Sequence, residues 1–324
     1  MPRAYSYLSR HLRERFGRNV RVATIDAGFT CPNVDGTITT GGCVYCDNRS
    51  FSPNRRLPRA NVYEQIERSL PKLRGRYGAE AFIAYFQAGT NTHAPVEKLR
   101  RLYDQALAHS EIVGLAIGTR PDSLPEPVLQ LLEEYAQRVP VYLELGLQTI
   151  HERSLAWMNR GHGVAEFLDA VDRCQGRGLD LSVHVILGLP GETRDDMMAT
   201  ADVLAGLPIQ GVKIHNLYVV KGTPLETQYL AGQVRTLDRE EYVGLVVDFL
   251  ERTPDDRVIH RVTGEAPPEY LVAPEWALDK DALLIAIDRE FQQRGTRQGQ
   301  FCSPRHLRRR WALPLAAEPA QPPQ

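Results

Sequence analysis

The sequence predicts an α/β protein that folds as an incomplete (β/α)6 barrel of the TIM type with a small C-terminal extension. Two observations lead to this class. Short, continuously apolar runs, such as AFIAYF at residues 81–86, are typical of strands buried on both faces of a parallel sheet. These runs alternate strictly with segments whose apolar residues recur at helical spacing. Six such strand–helix units and one further strand require right-handed crossovers and stop short of a closed eight-unit barrel.

The elements are predicted in the following order. A short amphipathic helix lies within the first twenty residues, and helices then begin near residues 62, 95, 125, 164, 192 and 238. Strands are predicted at 20–25, 81–86, 112–117, 141–147, 181–187, 212–218 and 257–262. Pro71 is predicted to disturb the end of the helix that starts at Val62, because a proline inside a helix removes a backbone hydrogen bond.

These elements divide the chain into four parts. Residues 1–19 form an N-terminal helical extension, and residues 20–264 form the partial barrel. Residues 265–312 break the alternation and form a C-terminal helical extension, with an amphipathic helix at 278–291. The Pro-rich segment 313–324 is predicted to be a disordered tail.

The composition is that of an ordinary globular chain. Hydrophobic residues make up 43% of the 324 residues, charged residues 24%, and the net charge is −1. No apolar run approaches the roughly 20 residues that a membrane helix needs, and the first residues lack the apolar stretch of a secretory signal. Together with the oxidisable thiols, these features predict a cytoplasmic protein with no membrane contact.

Arginines are concentrated at both ends of the chain. Residues 1–22 contain six arginines against the single acidic Glu14, and residues 289–310 contain seven, ending in Arg308, Arg309 and Arg310. Two explanations are open. The arginines either form the solvated faces of two helices or provide a basic surface that binds a polyanion.

Three of the five cysteines lie in one Gly- and Thr-rich loop after the first predicted strand. Cys43 and Cys46 form a C-x-x-C pair, and Cys31 lies upstream. The glycines between them allow the loop to bend so that the three sulfurs converge. Cys174 and Cys302 are isolated. We interpret Cys302 as a free structural thiol, with a radical relay or a covalent handle as the alternative.

The cysteine spacing alone leaves several chemistries open. It favours a 4Fe-4S cluster with one iron open to a small ligand, because the second cysteine pair that is common in zinc sites is missing. Zinc with a recruited His or Asp remains an alternative. A redox C-x-x-C needs no third cysteine, and a disulfide framework is disfavoured in a chain of this length without a secretory signal.

The surrounding residues then carry a resemblance to a known family. The matching stretches, which cover most of residues 20–264 in order, are IDAGFTCPNVDGT, GGCVYC, AYFQAGTNTHAP, IGTRPDSLP, LELGLQT, NRGHG, HVILGLPGET, GVKIHNLYVVKGTPL and HRVTGEAP. They resemble the radical S-adenosylmethionine (radical SAM) enzymes, and more narrowly the YhcC-like branch related to the elongator catalytic subunit and the oxygen-independent coproporphyrinogen oxidases. The cysteine spacing departs from the superfamily's common C-x-x-x-C-x-x-C, as this branch itself does.

The resemblance implies a radical reaction. Cys31, Cys43 and Cys46 would ligate three irons of a 4Fe-4S cluster, and the amino and carboxylate groups of S-adenosyl-L-methionine would chelate the fourth. An electron from a flavodoxin- or ferredoxin-like donor would cleave a carbon–sulfur bond of S-adenosylmethionine. The resulting 5′-deoxyadenosyl radical would abstract a hydrogen from the substrate, while the barrel positions the reactants and excludes water.

The cofactor candidates follow the carboxyl ends of the strands, where functional loops of β/α barrels lie. Arg120 either pairs with a carboxylate or holds its loop through Asp122, and Glu144 either contacts the cofactor or forms a buried ion pair. In the family, a Gly-Gly-Glu run after the second strand often binds the amino group of S-adenosylmethionine, and AGTNT stands in its place here. The alternative is that AGTNT is only a turn of small polar residues. The cofactor-binding candidates are Gln87, Thr90, Asn91, Arg120, Glu144, Gln148, Arg160, Gly188, Leu217 and Tyr218; by resemblance, the backbone near the last two binds adenine.

Three strand residues are the substrate candidates. Lys213 and His215 alternate along the sixth strand and share one polar face. His184 lies within the fifth strand and is either a substrate contact or a core histidine with a satisfied hydrogen bond. Side chains at these positions would reach the interior of the barrel.

The substrate itself is less defined by the sequence. We favour RNA, and tRNA in particular, because of the kinship to tRNA-modifying enzymes and because the arginine-rich ends could flank the barrel mouth. The net charge of −1 argues against RNA. The alternatives are a radical SAM enzyme acting on a small metabolite or porphyrin, and a zinc-stabilised, non-catalytic RNA-binding protein.

Overall fold

A computed structural model describes residues 4–302 of the chain. Its apolar runs form a seven-stranded parallel sheet in the order β1-β2-β3-β4-β5-β6-β8, and two short strands form a separate antiparallel pair. The predicted disordered tail at 313–324 and the arginines at 308–310 lie outside the described residues. The strands are β1 Val20–Ile25, β2 Ala81–Phe86, β3 Ile112–Thr119, β4 Val141–Gln148, β5 Asp180–Leu187, β6 Gly211–Asn216, β7 Val219–Val220, β8 Val258–Arg261 and β9 Leu271–Ala273.

Helices cover one face of the sheet and confirm the predicted alternation. Their apolar stripes pack on the strands in one continuous core, as expected for amphipathic helices. The helices are α1 Leu8–Phe16, α2 Asn48–Phe51, α3 Val62–Tyr77, α4 Val96–Leu107, α5 Glu126–Ala136, α6 Glu152–Trp157, α7 Val164–Arg173, α8 Arg194–Ala205, α9 Pro224–Leu230, α10 Arg239–Arg252 and α11 Lys280–Arg294.

The prediction of an incomplete barrel is confirmed. The seven strands keep their chain order, and β1 and β8 are the two edges of a curled, open sheet. Helix α3 differs from the prediction, because it continues past Pro71 to Tyr77. Burial of Leu70 and a left-handed cap at Gly78, whose N–H donates to the Arg74 carbonyl, outweigh the single hydrogen bond lost at the proline.

Helix α1 closes the barrel at the amino ends of the strands. Leu12 packs against Val20 and Ala81, the first residues of β1 and β2, and against Tyr142 near the start of β4. Arg15 binds Asp180, the first residue of β5, at 2.6 Å. The N-terminal arginines on α1 therefore lie at the end of the barrel opposite the cysteine loop, and the prediction that they flank the barrel mouth is wrong.

The segment after residue 264 first lines the cleft, through Glu265, Ala266 and Pro267, and then packs on other elements of the fold. Strand β9 pairs with β7, and α11 packs on α10. Arg294 on α11 pairs with Asp248 at 2.8 Å, so this arginine is a structural contact. Within residues 4–302, none of the helices is long and apolar enough to cross a membrane.

Candidate active site

The carboxyl ends of the strands surround a cleft of about 900 Å³. The loop after β1 forms one side, and inward-facing residues of β4, β5, β6 and β8 form the other. Among the candidates from the sequence, the structure does not bring Asn91 and Gly188 into the cleft. The candidates that line it are Cys31, Cys43, Cys46, Gln87, Thr90, Arg120, Glu144, Gln148, Arg160, His184, Lys213, His215, Leu217 and Tyr218.

The cysteine loop is held in place by a buried asparagine. The Asn33 side-chain amide donates to the carbonyls of Asn159 and Arg160 at 2.6 and 2.7 Å, and lies 3.6 Å from the Cys43 sulfur. Asn33 is completely buried. The loop that carries the thiols is therefore fixed to the loop after α6. No role for Asn33 was predicted from the sequence.

The three thiols share the cleft but differ in exposure. Cys43 is buried, Cys31 is half-buried and Cys46 is exposed. Desolvation by the surrounding protein, followed by the charges of the neighbouring Cys43 and Cys31, raises the pKa of Cys46 to about 12. Because metals bind thiolates, a cationic centre between the sulfurs would remove this penalty.

The three thiols are donors of the kind that an iron–sulfur cluster uses. Ligands of one tetrahedral zinc lie about 3.8 Å apart, given zinc–sulfur bonds of about 2.3 Å. In the part of the chain that the structure describes, no group of three His, Cys, Asp or Glu residues is placed to hold a metal ion. The thiolates of a 4Fe-4S cluster each bind a different iron and are spaced more widely. Cys31, Cys43 and Cys46 line one open cleft and could supply three such ligands.

Arg160 reaches from the loop after α6 to the buried thiol. Its Nη1 lies 3.6 Å from the Cys43 sulfur, its Nη2 donates to the Gly146 carbonyl at 2.6 Å, and its Nε donates to His162 at 2.9 Å. Burial opposes the guanidinium charge, but Cys43, Tyr45 and Cys31 together outweigh burial and raise the pKa of Arg160. Burial and the Arg160 charge lower the pKa of His162 to about 3, so this imidazole is neutral.

Two backbone features of the stretch LELGLQT shape the cleft: one makes room for Arg160 and the other directs Gln148. A Cβ on Gly146 would lie 2.5 Å from Arg160 Nη2, so any larger residue would displace the guanidinium. Gln148 adopts φ +83°, a left-handed conformation that is uncommon for a residue other than glycine. The sheet register shifts between Gly146 and Gln148, which turns the Gln148 side chain toward the cleft.

Arg120 is occupied within its own loop. It binds Asp122 through two hydrogen bonds of 2.9 and 2.6 Å, and its Nη1 donates to the Arg160 carbonyl at 2.7 Å. Of the two explanations for Arg120, the structure contains the Arg–Asp pair that holds the loop. Arg120 also supports the backbone of Arg160 through this last hydrogen bond. Arg160 in turn contacts Cys43, so the Arg120–Asp122 pair is connected to the cysteine side of the cleft.

The loop after β2 packs against the cysteine loop. Thr90 N–H donates to the Thr30 carbonyl at 2.8 Å, and Gln87 donates to the Phe51 carbonyl at 3.1 Å. A Cβ on Gly89 would lie 2.5 Å from the Phe29 carbonyl oxygen, so only glycine fits there. Asn91 donates to the Gly118 carbonyl at 2.8 Å and is completely buried, which explains why its side chain is not in the cleft.

Glu144 is the centre of a buried hydrogen-bond network. Its Oε2 accepts hydrogen bonds from Tyr85 at 2.5 Å, Lys213 at 2.7 Å and His184 at 2.8 Å, and its Oε1 accepts one from His260 at 3.2 Å. Burial opposes ionisation of Glu144, but Lys213 and the two histidines hold its pKa well below the usual range. The structure thus contains the buried ion pair that was one of the two explanations for Glu144.

The strand residues near Glu144 form what we call the inner wall: Glu144, His184, Lys213, His215 and Arg261. His184, Lys213 and Arg261 are direct neighbours in register across β5, β6 and β8. The His184 and His215 rings lie 5.3 Å apart. Burial, followed by the Lys213 charge, lowers the pKa of His184 to about 4. The inner wall therefore combines two cations, one carboxylate and two imidazoles.

The predicted adenine side lies beyond β6. Leu217 N–H donates to the Leu187 carbonyl at 2.9 Å, so this amide continues the sheet contact. Tyr218 lies against Gly264, where a Cβ would come within 2.5 Å of the ring. Gly188 adopts φ +88° and faces Leu237 rather than the cleft. The positive φ and the close approach of the Leu237 side chain explain why this position is a glycine.

Several residues of the site were missed by the sequence reasoning. Tyr85 lies in a run of apolar residues, and its contact with Glu144 depends on pairing between distant strands. His260 and Arg261 belong to the quoted stretch HRVTGEAP, to which no role was given. The available signal was the presence of a histidine and an arginine in a predicted strand of a buried sheet, because such side chains need polar surroundings.

Comparisons with known proteins identify the family. Residues 35–204 match the Radical SAM superfamily, including Cys43 and Cys46, and residues 209–293 match the Radical_SAM C-terminal domain. The Uncharacterized protein YtqA of Bacillus subtilis is 42% identical over 300 residues, covering 92% of each chain. Protein YhcC of Escherichia coli is 37% identical over 285 residues, covering 88% of this chain and 91% of that protein.

More distant matches concern part of a longer chain or the fold alone. The tRNA uridine(34) acetyltransferase of Dehalococcoides mccartyi is 27% identical over 169 residues, covering 51% of this chain and 36% of that enzyme. The solved structure of the archaeal Methanocaldococcus infernus Elp3 superposes with a TM-score of 0.66 at 18% identity, covering 86% of this chain and 64% of that chain. At this identity, the likeness shows the curled half-barrel fold.

The three-thiol cleft, the half-barrel and the matches along nearly the whole chain lead to one conclusion. Radical SAM enzymes use a 4Fe-4S cluster and S-adenosyl-L-methionine, and the thiols described above suit that cluster. The expected kinship with YhcC is confirmed. The chain belongs to the radical SAM superfamily of enzymes.

Proposed function

We propose that Cys31, Cys43 and Cys46 hold the 4Fe-4S cluster and that S-adenosylmethionine lies in the same cleft. The observation that carries the proposal is that these three thiols line one cleft with the inner wall, at the carboxyl ends of the strands. When bound, the two cofactors supply reductive cleavage of S-adenosylmethionine and removal of a hydrogen from the substrate. A flavodoxin- or ferredoxin-like protein would donate the electron.

The residues of the chain would then have separate tasks. Arg160 would stabilise the Cys43 thiolate, because its guanidinium lies 3.6 Å from that sulfur. Gln148 and Gln87 offer amide groups to a polar ligand, and Tyr218 offers an aromatic face on the predicted adenine side. His184, Lys213 and His215 face the cleft from the strands and would contact the substrate. The enclosing strands keep water from the reacting groups.

The direct experiment is an anaerobic cleavage assay. Reduced, cluster-loaded protein should convert S-adenosylmethionine to 5′-deoxyadenosine and methionine, slowly even without substrate. Cys43→Ala protein should form none, because one cluster ligand is lost. Formation of S-adenosylhomocysteine as the sole product would indicate ordinary methyl transfer and would contradict the proposal.

For the substrate, we propose RNA, and tRNA in particular. The likeness to a tRNA uridine(34) acetyltransferase and the fold shared with Elp3 support this class. Three arginines that follow the cysteine motif, Arg49, Arg55 and Arg56, line the cleft and could contact phosphates. The N-terminal arginines lend no support, because they lie at the other end of the barrel.

Filter binding of bulk tRNA over a salt series tests this substrate class. Phosphate contacts predict an affinity that falls steeply with salt, with a further loss when Arg49 and Arg56 are replaced by Ala. Arg235→Ala is a matched control, since Arg235 is exposed and pairs with Glu241. A separate variant with residues 308–310 changed to Ala tests the C-terminal arginines. Absence of tRNA affinity at low salt would favour a small-molecule substrate.

A further inference from the structure

The inner wall contains one cation that no side chain of residues 4–302 binds directly, although the Glu265 carboxylate, which also lines the cleft, lies within electrostatic range of it. Lys213 and Arg261 are neighbours in register on β6 and β8, and both line the cleft. The Lys213 charge is balanced by Glu144 at 2.7 Å. Within residues 4–302, Arg261 forms no ion pair and its guanidinium donates no hydrogen bond, although it is only half-exposed. A partly buried guanidinium is costly unless an anion accompanies it.

A second unsatisfied group lies beside this arginine. His215 Nε2 is buried and has no hydrogen-bond partner among the described residues. His215 lies on the same face of β6 as Lys213, two residues further toward the cleft mouth. Burial, then the charges of His184 and Arg261, keep its pKa well below the usual value, so the ring is neutral and has one N–H to donate.

The space in front of these groups suits a second ligand beside the cofactor. Ligand pockets commonly measure about 300–1,000 Å³, and the cleft, at about 900 Å³, lies near the upper limit. A smaller cavity of about 190 Å³ lies behind it, toward α1, and shares Tyr85, Glu144, Lys213 and Arg261 with it. Arg261 therefore borders both spaces.

We propose that Arg261, assisted by His215 and Lys213, binds an oxyanion of the substrate, either a carboxylate or a phosphate group. The planar guanidinium fork matches both groups through paired hydrogen bonds. Held there, the substrate would lie between the inner wall and the cysteine loop. That the oxyanion belongs to a substrate rests on the proposed function, whereas the existence of the anion site does not.

The test measures anion binding to the cluster-loaded protein by thermal shift at constant ionic strength. The probes are inorganic phosphate and acetate, each titrated against sodium chloride, because a ligand that binds the folded state raises the melting temperature. We expect at least one probe to bind, and Arg261→Gln to weaken it by tenfold or more. Arg261→Lys, which keeps the charge but loses the fork, should have an intermediate effect. Arg235→Gln, on the surface, should bind as the unchanged protein does.

The outcomes separate the possible ligands. Binding of phosphate alone identifies a phosphate-bearing substrate, and binding of acetate alone identifies a carboxylate. Binding of neither probe, or equal affinity in Arg261→Gln, would overturn the proposal. It would also be overturned if Arg261→Gln weakened S-adenosylmethionine itself tenfold, because the site would then serve the cofactor carboxylate. Failure of the cleavage assay in the unchanged protein would contradict the proposed function while leaving the anion measurement intact.

Discussion

The two sides of the cleft differ in what holds their side chains in place. On the cysteine side, three free thiols lie on a loop, and one of them is exposed. On the inner wall, strands hold the side chains, and Glu144 alone accepts four hydrogen bonds. The comparison indicates that the inner wall is organised by the protein itself, whereas the cysteine side depends on a cluster. Cluster loss and wall disruption should therefore be separable.

The largest expected effect is on iron content. Replacing Cys31, Cys43 or Cys46 by Ala should abolish cluster binding, because no other described cysteine lines the cleft. Iron and sulfide analysis after anaerobic reconstitution, with absorption near 400 nm, measures the loss. Cys174→Ala is the control, since Cys174 is buried in the core at the end of α7 and should leave iron content unchanged. Full iron in Cys31→Ala would refute the three-thiol site.

Disrupting the inner wall should instead reduce stability. Glu144→Gln leaves the buried Lys213 without its counter-charge, and breaking such a pair costs about 3 kcal/mol of unfolding free energy. Urea unfolding of the cluster-free protein measures this loss, and the iron content after reconstitution should be preserved. Glu14→Gln, which removes an exposed partner of Arg10, should leave the urea midpoint unchanged. Loss of iron in Glu144→Gln at low temperature would show that the two sides are not independent.

Steric room for Arg160 gives a smaller effect that connects the two sides. Gly146→Ala would place a Cβ 2.5 Å from the Arg160 guanidinium, and such overpacking costs about 1–3 kcal/mol. Gly118→Ala is the matched control, because its Cβ would meet neighbours only at 3.5 Å or beyond. The urea midpoint of Gly146→Ala should be lower than that of Gly118→Ala. Equal midpoints for the two variants would show that Arg160 moves aside without cost.

A further effect, comparable in size to that of the glycine variant, is on the pH dependence of stability. The pKa of His184 is about 4 in the folded chain, against an ordinary 6.5. Between these values the unfolded chain binds more protons, so stability falls as the pH falls. The linkage amounts to about 2 kcal/mol between pH 7.5 and 5. In His184→Asn the urea midpoint should therefore change less between pH 7.5 and pH 5 than it does in the unchanged protein. An equal change of the midpoint in both proteins would contradict the neutral buried imidazole.

The sequence predicted the sheet well, for a physical reason. Runs such as residues 81–86 are apolar at every position, which only a strand covered on both sides permits. The order of the strands then follows from right-handed crossovers. By contrast, the short strands β7 and β9 pair although about fifty residues separate them in the sequence, and no local sequence pattern predicts that contact. The placement of α1 beneath the barrel depends equally on tertiary packing.

The site was predicted in its residues more than in its contacts. Local spacing identified the three cysteines, and alternation identified Lys213 and His215 as inward-facing. The partners of Glu144 and Arg120 were open, because each depends on which distant chain segment arrives beside it. Asn33 and Gly146 were missed, since their roles lie in supporting Arg160 and the loop that carries Cys43 rather than in chemistry of their own.

The central claim is a cluster held by three loop thiols with one iron open to S-adenosylmethionine. Electron paramagnetic resonance of the reduced protein, with and without S-adenosylmethionine, tests it most directly. We expect a 4Fe-4S signal whose shape changes when S-adenosylmethionine is added, because its amino and carboxylate groups would bind the open iron. A cluster signal that stays identical at saturating S-adenosylmethionine would contradict the claim.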